Sequence, residues 1–129
     1  MTELSLSSDK EKLIIKTRNN NWCDVYIEKN SKRVKLGSQS LDTILYSFII
    51  SFIELSDRTF FEYLDYKLFT VVNLMDSHSV IAGRYHENNI ELYHLDTNGN
   101  VQYLLSLSEP QQIKFIKETC SIISKCGEK

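Results

Sequence analysis

The chain has 129 residues, 42% hydrophobic, 11% aromatic and 25% charged, with 15 basic and 17 acidic side chains and a formal net charge of −2. That is the profile of one soluble globular domain spanning 1–129: a chain of this size buries roughly 65–70% of the surface its unfolded form exposes, enough for a core without disulfides or metal. Four glycines and a single proline, Pro110, exclude collagen-like and low-complexity classes and imply regular elements with short connections.

Residues 12–17 and 22–28 read as strands, the second alternating Cys23, Val25 and Ile27 against Asp24, Tyr26 and Glu28. The Arg18-Asn19-Asn20-Asn21 run between them predicts a hairpin, and Asn30-Ser31-Lys32 turns the chain into a short strand at 33–36. Ser40 offers an N-cap, after which Leu41, Ile44, Leu45, Phe48, Ile49, Phe52 and Ile53 follow at helical spacing. Tyr46, Ile50 and Leu55 widen that apolar arc, so the helix is expected to be covered on more than one side and to form the centre of the core. Residues 57–67 hold Phe60, Phe61, Tyr63 and Tyr66 with an ambiguous period and read as a connection.

Residues 68–74, 79–86, 90–95 and 101–107 predict four antiparallel strands, joined at Asp76-Ser77-His78, Glu87-Asn88-Asn89 and Asp96-Thr97-Asn98-Gly99. Ser108-Glu109-Pro110-Gln111 then reads as a capping box opening a last helix to about residue 125. Its buried stripe is expected at Ile113, Ile116, Cys120 and Ile123, with Phe115 and Ile122 flanking. The order is β-β-β-α-β-β-β-β-α, which predicts an α+β fold with helices packed on one side of an antiparallel sheet. Two serine-capped helices each closing a run of strands suggest related halves, although the halves share no sequence identity.

The N-terminus lacks the basic start, apolar stretch and cleavage site of a secretory signal, and the longest apolar region, 44–53, is far short of a membrane span; a cytoplasmic protein is expected, without a membrane partner. Charge is unevenly spread. Residues 1–37 carry eight basic against five acidic side chains, a net of +3, residues 38–109 three against ten, a net of −7, and residues 110–129 four against two, a net of +2. An acidic middle argues against a nucleic-acid footprint there and for a basic partner.

Catalytic and metal readings find little support in the spacing. Asp76-Ser77-His78 holds the residue types of a hydrolase triad, but adjacent turn positions cannot converge on one substrate. With a three-residue turn, His86 would pair with Ile90 and His94 with Ala82, leaving the imidazoles roughly 13 Å apart, too far to share an ion. Cys23, Cys120 and Cys126 read as reduced thiols, and the four isolated glycines form no phosphate loop. No enzyme, cofactor or metal is expected. The tyrosines and Trp22 read as core and sheet-face packing rather than base-stacking groups.

The order of elements over 12–124, with the central helix at 41–55 and the Asn98-Gly99 hairpin before Ser108-Glu109-Pro110-Gln111, resembles the small cytoplasmic immunity proteins of bacterial contact-dependent growth inhibition and related polymorphic toxin systems. Some of those are similar to the Whirly single-strand-binding fold. The resemblance implies a non-enzymatic protein that binds and blocks a cognate toxin, with a nuclease bearing a basic surface as the expected target. Expected contacts are Glu54, Asp57, Glu62, Asp65 and Asp76, with Tyr63 and Tyr66 as aromatic anchors. The alternative is a cytoplasmic adaptor or secretion-chaperone-like binding module.

Overall fold

The computed structural model describes residues 3–18, 21–55 and 68–127. Four strands, β1 (Glu3–Ser7), β2 (Glu11–Thr17), β3 (Trp22–Lys29) and β4 (Lys32–Ser40), lead into helix α1 (Leu41–Leu55). The order then recurs as β5 (Phe69–Leu74), β6 (Ser79–His86), β7 (Asn89–Leu95), β8 (Val101–Leu107) and α2 (Glu109–Gly127). Each set of strands is a sequential antiparallel meander, so the α+β class stands, but the expected single sheet is two four-stranded sheets. The strand added to the expected order is β1, where Leu4 and Leu6 alternate with Glu3, Ser5 and Ser7 and pair with Ile15 and Leu13 of β2. Two buried leucines in five residues meet the period-two rule over the shortest span on which it can be seen.

Turn chemistry sets the registers. Asn30 and Ser31 (φ 52° and 66°) and Glu87 and Asn88 (φ 51° and 69°) form two-residue turns whose left-handed backbone matches strand twist. The second turn corrects the expected three-residue connection: His86 pairs with Asn89, and His94 with Ile81. A one-residue slip exchanges the faces of a strand, so His94 lies on the core face beside Ile81 while His86 lies on the opposite face. The Asn98-Gly99 pair sits in a longer loop organised by Asp96, whose Oδ1 accepts from the Asn98 and Asn100 amides at 2.9 Å each.

The two halves share more than element order. The β3–β4 register shifts so that Val25 faces Gly37 and Tyr26 faces Lys35, leaving Leu36 as the extra residue of a bulge. The β7–β8 register shifts likewise between Leu92 and Tyr93, leaving Leu104. Both extra leucines are buried, and each stands four residues before the serine that caps the following helix, Ser40 or Ser108. A bulge bends and twists its strand, and here it falls at the same place in each half. Ser40 Oγ accepts the Thr43 amide at 3.3 Å, while at α2 the box closes from the other side, Gln111 Oε1 accepting from the Ser108 amide at 2.8 Å.

One core joins both sheets and both helices. Leu41, Ile44, Leu45, Phe48 and Phe52 of α1 are buried, and Phe48 and Phe52, 5.7 Å apart, each meet Phe115 of α2 edge-to-face at 5.6 Å between centroids. The buried line of α2 is Gln112, Phe115 and Thr119, one position round from the expected stripe: Ile113 and Cys120 are exposed and Ile116 is half-buried. Phe115 takes the central place because a ring fills the space against Phe48 and Phe52. Gln112 is satisfied there by donating from Nε2 to the Leu107 carbonyl at 2.9 Å.

Thr119 has no such compensation, since its fully buried Oγ1 lacks a hydrogen-bond partner among the described residues. Burying an unpaired hydroxyl costs roughly 1–3 kcal/mol. Thr119→Val, which keeps the shape and removes the hydroxyl, is expected to raise the unfolding free energy by about 1 kcal/mol in urea denaturation. A loss of stability instead would show that the hydroxyl has a partner in solution.

Candidate interaction surface

Of the residues expected to contact a partner, Asp57, Glu62, Tyr63, Asp65 and Tyr66 lie outside the described residues. Glu54 is exposed near the C-terminal end of α1. Asp76 stands in the β5–β6 turn at the other end of the helix, where its Oδ1 accepts the Ser38 amide at 2.5 Å and the Met75 amide donates to the Ser38 carbonyl at 2.9 Å. Ser38 lies three residues before α1, so the length of the helix, at 1.5 Å per residue, separates Glu54 from Asp76 by about 20 Å. The structure does not bring these two acids together.

Asp76 belongs to a clasp between the first sheet and the β5–β6 hairpin. Asp24, only 6% exposed, lies 3.1 Å from Arg18 Nε and 3.4 Å from Lys35 Nζ and accepts from Ser38 Oγ at 2.6 Å. The Lys35 ammonium also lies 3.6 Å from Asp76, linking the two carboxylates, and Gln39 Nε2 donates to the Asn73 carbonyl at 2.9 Å.

Partial burial pushes the Asp76 carboxyl up, but the hydrogen bonds from Ser38 and the charge of Lys35 outweigh it and hold the group below its ordinary 3.8. A carboxyl whose folded pKa is depressed stabilises the fold above the unfolded value and loses that contribution as pH falls through the folded one. Asp76→Asn should therefore be less stable than wild type near neutrality, with the difference shrinking as pH drops below about 4. Urea titrations at a series of pH values read this directly, and a pH-independent difference would assign the loss to geometry alone.

A second set of polar groups is engaged within the fold. Glu91 Oε1 accepts from Arg84 Nη2 at 2.7 Å, Arg84 Nε at 3.0 Å and the Tyr93 hydroxyl at 3.2 Å. Tyr93 meets Tyr103 edge-to-face, and Lys29 lies over the Tyr103 ring while donating to the Tyr103 carbonyl at 2.9 Å. Burial, reinforced by Asp24 and opposed by Arg18, pushes the Cys23 thiol up to about 12, so at neutral pH it holds its proton and donates toward the Gln39 carbonyl. Burial holds the His94 imidazole below its ordinary value, against the opposing charge of Asp96. Asp76-Ser77-His78 forms a turn, and among the described residues no three His, Cys, Asp or Glu side chains are grouped to hold a metal ion.

What stands out is the exposed side of α1. Asp42, Tyr46, Ile50 and Glu54 succeed one another at four-residue spacing, Tyr46 50% and Ile50 53% exposed, with the acids exposed at either end. Ile53 is exposed beside them. As expected, α1 is covered on more than one side, by β4 and β5 of the two sheets and by α2, but Tyr46 and Ile50, which widen its apolar arc, face outward instead of into that cover. The helix carries no basic residue. Its counterpart α2 shows the mixed surface usual for a solvated helix, with Glu109, Lys114 and Lys117 exposed around Ile113. The signal in the sequence was present as the excess width of the apolar arc, which periodicity reads as a second buried side.

Comparison with protein-family models, with curated proteins and with solved structures finds no match. Among the described residues no helix is long and apolar enough to cross a membrane.

Proposed function

We propose that this chain is a non-enzymatic immunity protein of the cytoplasm that binds and blocks a cognate bacterial toxin with a basic surface, a nuclease in the first instance. The observation that carries the reading is the exposed side of α1, where Tyr46 and Ile50 lie between Asp42 and Glu54. Adjacent large apolar groups on a folded domain, rimmed by charge, are a usual mark of a protein-binding site, and tyrosine is enriched where interfaces concentrate their binding energy. The net of −7 over residues 38–109 supplies a field that speeds association with a cationic surface. A nuclease presents such a surface to its own substrate, so occupying it both recruits the inhibitor and blocks the enzyme.

The test is recovery of the tagged protein from its native cells, followed by expression of each bound protein alone and together with this chain. A stoichiometric partner that is toxic alone and harmless in co-expression is the expected result. Recovery of secreted, non-toxic clients would overturn immunity in favour of the adaptor or secretion-chaperone reading.

A further inference from the structure

We infer that the ridge formed by Asp42, Tyr46, Ile50 and Glu54 on α1 receives a basic amphipathic helix of the partner protein. This rests on the protein-binding reading above and specifies the structure and chemistry of what is bound. Side chains four apart form a raised row inclined to the helix axis, and such a row seats in the groove between the equivalent rows of a second helix, the commonest way two helices pack. Tyr46 and Ile50 are neighbours on this row and half exposed, giving it an apolar centre. Asp42 and Glu54 close it at two ends about 18 Å apart along the axis. A helix that fills this site places apolar side chains over Tyr46 and Ile50 and a lysine or arginine near each end.

Charge decides between this occupant and a second copy of the same chain. Two α1 helices packed ridge to ridge in antiparallel fashion would set Asp42 of one against Glu54 of the other, and in parallel fashion like against like. With no basic residue in α1 to relieve either arrangement, self-association opposes two pairs of acids. A cationic partner converts both ends into attraction. The mixed, lysine-bearing outer face of α2 shows that following a four-stranded meander does not of itself require an apolar ridge flanked only by acids, so the ridge is a property of α1 and not of its place in the fold.

The probe is a pair of synthetic helices of about 18 residues, both with leucine at the apolar positions of an amphipathic pattern, one with lysine and the other with glutamate elsewhere. Each is titrated into the full-length isotope-labelled protein and followed by amide chemical shifts. The lysine helix is expected to bind with its shifts centred on α1, the glutamate helix not to bind, and Ile50→Asp to weaken the lysine complex by at least about tenfold. Asp42→Asn combined with Glu54→Gln, which leaves the apolar centre intact, is expected to weaken it and to flatten its salt dependence.

Unchanged affinity in both variants, or shifts confined to another face, would overturn the inference. Sedimentation that finds a wild-type dimer made monomeric by Ile50→Asp would overturn it in favour of a second copy. Failure here with toxin neutralisation intact would leave the immunity reading standing on another surface. Success here without a toxic partner would leave the docking chemistry and remove immunity.

Discussion

Phe115→Ala should lower the unfolding free energy by about 3–5 kcal/mol, the range for a buried phenyl truncated in a core that cannot fully collapse. Phe115 is 2% exposed and packs edge-to-face on both Phe48 and Phe52, with centroids 5.6 Å away and interplanar angles of 70° and 64°. Each ring pair adds about 0.5–1.5 kcal/mol beyond the area it buries. This one side chain carries the aromatic contact between the two helices, so its loss should loosen α2 before the sheets. Urea denaturation followed by far-ultraviolet circular dichroism measures the first effect, and hydrogen exchange on α2 amides the second. Against a total stability of about 5–15 kcal/mol for a domain of this kind, the variant should be marginal at 37 °C. A cost below about 1 kcal/mol would mean that the ring cluster is not the hinge of the core.

How much of this was legible in the sequence varies with the distance over which each feature is decided. Helix α1 and the strands of the second sheet follow from periodicity, which is local: Leu41, Ile44, Leu45, Phe48 and Phe52 line one face wherever the helix is placed. The register of β6 on β7 depended on whether Asn89 belongs to the turn or the strand, a single residue that exchanges the faces given to His86 and His94. The rotation of α2 was decided at still longer range, by Phe48 and Phe52 some sixty residues away, which favour Phe115 over Ile113. Strand β1 had the right alternation but only two apolar residues to express it.

The candidate surface illustrates the same limit from the other side. Residue type alone pointed to acids and tyrosines in the acidic middle, and of the residues so chosen Glu54 stands at the exposed end of α1 while Asp76 is bound to Ser38 and Lys35 in the clasp. Nothing in the identity of an aspartate distinguishes a docking contact from a carboxylate that accepts a backbone amide. That distinction belongs to the β5–β6 turn folding back on β4, a contact spanning 38 residues. Tyr46 and Ile50 read in the sequence as a second buried side, because an apolar residue on a helix is ordinarily assigned to the interior.

The same close approach makes Gly37 the second site of large effect. Gly37 is buried opposite Val25 at the β3–β4 bulge, where a Cβ would come within 2.7 Å of Leu74 Cβ and still closer to Ser77 Oγ. Neither neighbour retreats cheaply: Leu74 Cβ is attached to the backbone of β5, and Ser77 Oγ is hydrogen-bonded to Ser79 Oγ at 2.6 Å. Gly37→Ala should therefore cost about 2–3 kcal/mol, toward the upper end for an overpacked site, although alanine ordinarily stabilises an unstrained glycine position by narrowing the unfolded ensemble. The displacement falls on the clasp as well, because Ser38 directly follows Gly37 and Asp76 lies between Leu74 and Ser77. Adding Ser77→Ala removes the closer of the two clashes but not the one with Leu74, so the double variant should recover only part of the loss, with a coupling of about 1 kcal/mol in a double-mutant cycle. Full additivity of the two substitutions would mean that β4 and the β5–β6 turn do not meet at Gly37.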